Sequence, residues 1–246
     1  GANTTGANNV AVGSGALDAN TTADNNVAIG KDALGDSTTG ANNTAVGHNA
    51  LTANTTGTRN TAVGYLALDA ATTVNDNTAL GFGALSANTS GTCNTAVGSY
   101  AGDNITTGDY NTAVGCEALD VLTTGNHNTS MGYRAMQVAT TGGYNVAVGN
   151  LALDALTTSS YNVAVGYAAL SANTTGADNT GLGHYALVVN TTGTQNTAVG
   201  SYAMDANTTG DYNTSVGYNS MSGNTTGYRN VAVGYSALGA QTTAAY

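Results

Sequence analysis

An asparagine stands at every seventeenth position of this chain, from Asn9 to Asn230, without one insertion or deletion. Asn26, Asn43, Asn60, Asn77, Asn94, Asn111, Asn128, Asn145, Asn162, Asn179, Asn196 and Asn213 lie between. A glycine follows four residues after each, from Gly13 to Gly234, and a threonine twelve residues after each, from Thr21 to Thr242. The sequence is one unit written fourteen times: Asn, Thr or Val, Ala, Val, Gly, two variable residues, Ala-Leu, then a return through Asn-Thr-Thr-Gly. A strict period means that each unit fills the same space as the last, so the fold is a stack of equivalent coils.

Seventeen residues are too few for a helical repeat, which must hold two packed helices. Gly, Asn and paired Thr are also poor helix formers. A β-coil fits, with two short strands and two turns per circuit. The first strand is Asn60-Thr61-Ala62-Val63, ended by Gly64, where a bend is cheap for glycine. The second strand is placed on Ala67-Leu68, and Asn54-Thr55-Thr56-Gly57 makes the return turn. The expected fold class is all-β, a parallel β-solenoid of about fourteen coils in a single domain over 1–246. At about 4.8 Å per coil the stack is a rod on the order of 67 Å long. Disorder does not account for Val12, Ile29, Leu80, Met131 and Leu182 all falling in one column. The Asn column reads as a structural amide ladder of the kind stacked strands build.

Composition narrows the partners. Apolar residues reach 41 %, but they are mostly Ala and Val, with no Trp and only Phe82, so the core must be thin and made coil by coil. The net charge is −10, and Lys31, Arg59, Arg134 and Arg229 are the only cationic side chains, which argues against nucleic acid. No signal-like start and no long apolar run is present, so no membrane insertion is expected in this segment. Cys93 and Cys116 occupy different positions of neighbouring copies, which keeps them apart around the coil and predicts no bridge. The chain begins in mid-unit at Gly1 and stops at Tyr246, and neither terminal copy is unusually polar. Since solenoids cap their open ends, the expectation is an excerpt of a longer fibre or a subunit that stacks end to end.

Alternation along a strand sends Ala62 and Val63 to opposite faces, yet both columns are apolar or small throughout. Arg59 and Tyr65 share parity with Thr61 and Val63, which points Asn60 and Ala62 inward, Ala facing Leu, and the Val column outward. A long outward aliphatic stripe is an association surface, and stripes on identical chains close most simply as a symmetric bundle. A homotrimer of parallel coils is the expected assembly.

The unit Asn-[Thr/Val]-Ala-Val-Gly-x-x-Ala-Leu, clearest at Asn9-Val10-Ala11-Val12-Gly13, Asn26-Val27-Ala28-Ile29-Gly30 and Asn230-Val231-Ala232-Val233-Gly234, resembles the head repeats of YadA-like trimeric autotransporter adhesins. It is also similar to repeats of phage tail fibres. The likeness spans essentially the whole chain. It implies a left-handed, trimeric β-roll displayed on a cell surface or a virion. The repeats of that family are shorter, and the added Asn-Thr-Thr-Gly segment lengthens one turn of each coil.

Little in the sequence suggests catalysis, and no cofactor motif is present. His48, His127 and His184 fall in distant copies, and Glu117 is the only glutamate, so no acid–base pair is expected. Asp18-Ala19-Asn20 and Asp205-Ala206-Asn207-Thr208-Thr209-Gly210 echo the start of a calcium loop but lack its distal Glu. Tyrosine is the notable side chain. Tyr65, Tyr133, Tyr167, Tyr218 and Tyr235 follow the strand glycine, with Tyr100, Tyr185 and Tyr202 one residue further on. Tyr110, Tyr144, Tyr161, Tyr212 and Tyr246 precede the Asn. Such rings contact a surface glycan or host receptor, or pack on each other. The Thr-Thr columns give a rival reading, an ice-binding array, against a hydroxyl ladder that braces the turn. Several Asn-Thr-Thr triplets also match the glycosylation acceptor pattern. The reading these residues favour is a non-enzymatic shaft or head of an extracellular fibre. An ice-binding solenoid and a self-assembling surface filament are the alternatives.

Overall fold

The computed structural model describes residues 2–240 and 242–243, so Tyr246 of the second tyrosine column lies outside the described residues. The chain forms two compact units, 1–126 and 127–246. The first carries β1 (Val10–Val12), β2 (Val27–Ile29), β3 (Thr44–Val46), β4 (Thr61–Val63), β5 (Thr78–Leu80), β6 (Thr95–Val97) and β7 (Thr112–Val114). The second carries β8 (Thr129–Met131), β9 (Val146–Val148), β10 (Val163–Val165), β11 (Thr180–Leu182), β12 (Thr197–Val199), β13 (Thr214–Val216) and β14 (Val231–Val233). Within each unit every strand pairs in parallel with the next at a register of one repeat, as in Thr44↔Thr61 and Thr180↔Thr197. No helix occurs among the described residues. The parallel β-solenoid with a 17-residue coil is therefore observed.

The coil Asn43–Arg59 shows how one repeat closes. Thr44, Ala45 and Val46 form β3, and the Thr44 amide donates to the Asn60 carbonyl of the next coil at 2.9 Å. The Gly47 amide donates the other way, to Ile29 of the preceding coil, at 2.8 Å. Gly47 has φ 139°, and a Cβ there would overlap the Gly64 carbonyl one coil on. The same overlap recurs at Gly13, Gly30, Gly64 and Gly81, so this glycine is set by backbone-to-backbone approach as well as by φ.

The expected second strand is absent. Ala67-Leu68 and their equivalents lie in a turn, and Leu66 and Leu68 have φ of 55° and 54°. The reason is geometric. Ala67 and Leu68 are both fully buried, and neighbours on a strand cannot both point inward. A left-handed residue at Leu68 turns the second side chain into the core. The coils that start at Asn9 through Asn213 repeat this, with left-handed residues at three non-strand positions, here Asn49, Leu51 and Arg59. Such conformations cost roughly 1–2 kcal/mol each for residues other than Gly and Asn, and the stack offsets them. The Leu51 amide donates to the Ala67 carbonyl at 3.0 Å, and the Ala53 amide to the Asp69 carbonyl at 3.2 Å. Within a unit, adjacent coils are thus stitched together even where no strand exists.

The core is thin, as the small residues require. In this coil it consists of Asn43, Ala45, Ala50, Leu51, Asn54 and Gly57. The Ala column faces the Leu column, since a Cβ built on Gly181 would lie 3.2 Å from Leu170. Where serine replaces that Ala, its hydroxyl stays satisfied, with Ser130 donating to the Ala135 carbonyl at 2.7 Å and Ser215 to Ser220 at 2.8 Å.

Candidate interaction face and its flanking ladders

The Asn column lines the inside of each coil. Asn26, Asn43, Asn60, Asn77, Asn94, Asn111, Asn128, Asn145, Asn162, Asn179, Asn196, Asn213 and Asn230 are buried, and Asn9 of the first copy is half-buried. The expected ladder is present. The Asn60 side-chain amide donates to Asn43 Oδ1 at 3.1 Å, and its backbone amide to the same oxygen at 2.9 Å. A second role was not read from the sequence. Asn43 Nδ2 donates to the Gly57 carbonyl, fourteen residues on, at 2.8 Å, and Asn60 Nδ2 to the Val74 carbonyl at 2.8 Å. The asparagine clasps the end of its coil to the start, and the strict spacing of the Asn column was the available signal.

A parallel asparagine set occupies the return turn. Asn54 Nδ2 reaches the Gly57 carbonyl at 3.1 Å, and in the second unit Asn190, Asn207 and Asn224 pass the bond along the stack. Burial of Asn20, Asn54 and Asn207 keeps these Asn-Thr-Thr amides from a glycan in the folded chain. The calcium-loop echo is not built either. Asn207 accepts from Asn224 at 3.0 Å and donates to Gly210 at 3.1 Å, which leaves its side chain committed to the turn.

Of each Thr-Thr pair, the first braces the turn. Thr55 Oγ1 donates to the Thr72 carbonyl at 3.0 Å, and Thr174 Oγ1 to Thr191 at 3.0 Å. The second, such as Thr56 or Thr175, is exposed. Each Thr-Thr pair thus contributes one column of exposed hydroxyls.

The outward sheet face is where the sequence placed it. Ala62 is fully buried, and Thr61 and Val63 are turned to the other side. Three of the larger members of the Val column are well exposed, Ile29 at 39 %, Met131 at 43 % and Leu182 at 42 %, and Leu80 is half-buried. Across both columns of this face every residue is Thr, Val, Ile, Leu or Met, and none is charged. The face is uncharged and rich in β-branched methyls in each unit.

Aromatic ladders flank it. After the strand glycine, His48, Tyr65 and Phe82 stack with ring centroids 5.3 and 5.2 Å apart. Tyr167 stacks on His184, and Tyr218 on Tyr235. Before the asparagine, His127, Tyr144 and Tyr161 stack in sequence. Arg134 covers Tyr133 and Arg229 lies over Tyr212, at 5.1 and 5.8 Å from the ring centroids. Tyr110 is exposed beside the asparagine like its equivalents. Ring faces that meet one another are not free for a sugar, so the tyrosines serve first as packing across coils. Tyr185 is held above the ordinary phenol range, chiefly by its hydrogen bond with Tyr167.

His48, His127 and His184 each sit in a ring stack. No group of three or more His, Cys, Asp or Glu suited to a metal exists among the described residues. Both cysteines are free thiols, Cys93 half-buried and Cys116 exposed. Arg59 holds Asp76 of the next coil through two bonds of 2.6 and 2.8 Å, which lowers the Asp76 carboxyl. Burial pushes the carboxyls of Asp69, Asp154 and Asp205 above the usual range. No helix among the described residues is long and apolar enough to cross a membrane. Compared with protein-family models and with curated proteins, the chain matches none.

Proposed function

We propose that the chain is a segment of a non-enzymatic extracellular fibre, the shaft or head of a trimeric adhesin or tail fibre, whose copies pack on the outward sheet face. The observation that carries this reading is the uncharged Thr/Val face, unbroken by any charged residue in either of its columns. A soluble surface of this size normally interleaves charge, and an uncharged face with regular strand spacing is matched best by another of the same period. The fibre holds binding elements away from a surface, and contact with a glycan or host receptor is confined to ring edges and ladder ends. The test is mass in solution by light scattering after size exclusion. Three times the 24.1 kDa of one chain is expected. A clean monomer overturns the trimer and directs attention to freezing hysteresis, because the exposed second Thr of each pair is the feature an ice-binding surface would use. Open-ended filaments formed by the chain alone would instead support a self-assembling sheath.

A further inference from the structure

We propose that the stacked tyrosine pairs Tyr144–Tyr161 and Tyr218–Tyr235 are sites of oxidative cross-linking, at which adjacent coils become joined through dityrosine. Each pair lies one repeat apart, on neighbouring coils, with rings almost parallel. The centroids are 5.3 and 5.5 Å apart, and the interplanar angles are 13° and 11°. All four rings are open to solvent, at 53, 58, 50 and 79 % in chain order. With ring centroids this close, a rotation of the exposed side chains brings one ortho carbon of each ring together. The coil backbones need not move.

The chemistry requires a one-electron oxidant, supplied here as hydrogen peroxide with a haem peroxidase. Each phenol loses one electron and its hydroxyl proton and becomes a phenoxyl radical with spin on the ortho carbons. Two radicals combine to form one carbon–carbon bond, and the two ring protons at that bond move to the phenol oxygens. Overall two tyrosines give up two hydrogen atoms, and one peroxide is reduced to two waters.

The sequence removes the usual competitors. The chain has no Trp, and both cysteines lie in the first unit whereas these pairs belong to the second. The first unit also supplies an internal control. Its ladder places Tyr65 between His48 and Phe82, so stacking there offers tyrosine no tyrosine partner. The inference concerns a single chain and does not rest on the fibre reading.

The experiment treats the full chain with peroxidase and peroxide, using a mixture of isotope-labelled and unlabelled protein. The product is denatured and digested. Cleavage before Asp154 separates Tyr144 from Tyr161, and cleavage after Arg229 separates Tyr218 from Tyr235. The expected result is linked peptides joining those two pairs, with no mixing of isotopes within a link, and none containing Tyr65. Tyr161→Phe keeps the ring stack but removes the hydroxyl. It should abolish the first link, leave the second, and lower dityrosine fluorescence. Absence of dityrosine, links that join different chains, or an unchanged yield in Tyr161→Phe would overturn the proposal.

Discussion

Single residues in this molecule carry duties that their neighbours cannot share. The strand glycine is the clearest. Gly64 has φ 142°, and a Cβ on it would overlap the Gly81 carbonyl, which is fixed in the next coil. Gly64→Ala should therefore cost upward of about 3 kcal/mol, from strain and forced separation of coils together. Gly234→Ala tests the division, because nothing lies within 4 Å of its Cβ position and only φ is at issue. Urea unfolding of both variants measures it, and equal losses would refute the steric part. The core asparagine is the second case. Asn60→Ala leaves the Asn77 amide and the Val74 carbonyl buried without their partner. At about 1–3 kcal/mol for each orphaned group, the loss should be about 3 kcal/mol or more, read in the same titration. A loss below 1 kcal/mol would show that the clasp is redundant.

At the scale of the element, the coil is a three-residue strand followed by turns, and its stability depends on bonds between coils. The turn after the buried leucine carries half-buried carboxylates whose charge is poorly solvated. Asp154 shows the effect, since burial raises its carboxyl and Arg134 only partly opposes this. A raised folded-state pKa favours the protonated form. Its contribution to stability is fully present below the unfolded carboxylate range and is lost as pH rises through the folded value. Asp154→Ser places a residue that other coils already hold there, such as Ser171. The variant should unfold at higher denaturant than the parent at pH 7, by less than about 1 kcal/mol given its partial exposure. The gap should close in acid, below the ordinary carboxylate range. A gap that widens in acid would reverse the assignment. Asp76 has the opposite sign, because Arg59 lowers it and its contribution fades as pH falls.

At the scale of the whole molecule, the outward Thr/Val face is the feature a partner would use. Val63 is half-buried on that face and makes no part of the coil interior. Val63→Lys should therefore leave the circular dichroism spectrum and unfolding midpoint of the isolated coil stack near those of the parent. Under the trimer proposal it should lower the mass measured by light scattering toward one chain. Unchanged mass of an assembled parent would move the contact to another face. The stacked rings at the borders of this face add order along each unit.

Much of this was legible in the residues. The strict spacing of asparagine and glycine specifies equivalent coils, because no other arrangement repeats the same contacts at every seventeenth residue. Parity around Ala62 and Val63 separated the inner face from the outer one, since alternation is a property of any strand. The ladder of Asn43 and Asn60 followed from identical amides placed one above another. The sequence misplaced the second strand because apolar content alone does not reveal backbone handedness. Two adjacent buried columns, Ala67 and Leu68, were the clue that alternation fails there. Only the tertiary structure decided that Leu68 is left-handed, that Asn60 reaches fourteen residues ahead to Val74, and that the tyrosines stack face to face. These depend on which groups the closed coil brings within bonding distance, and closure is a property of the whole circuit.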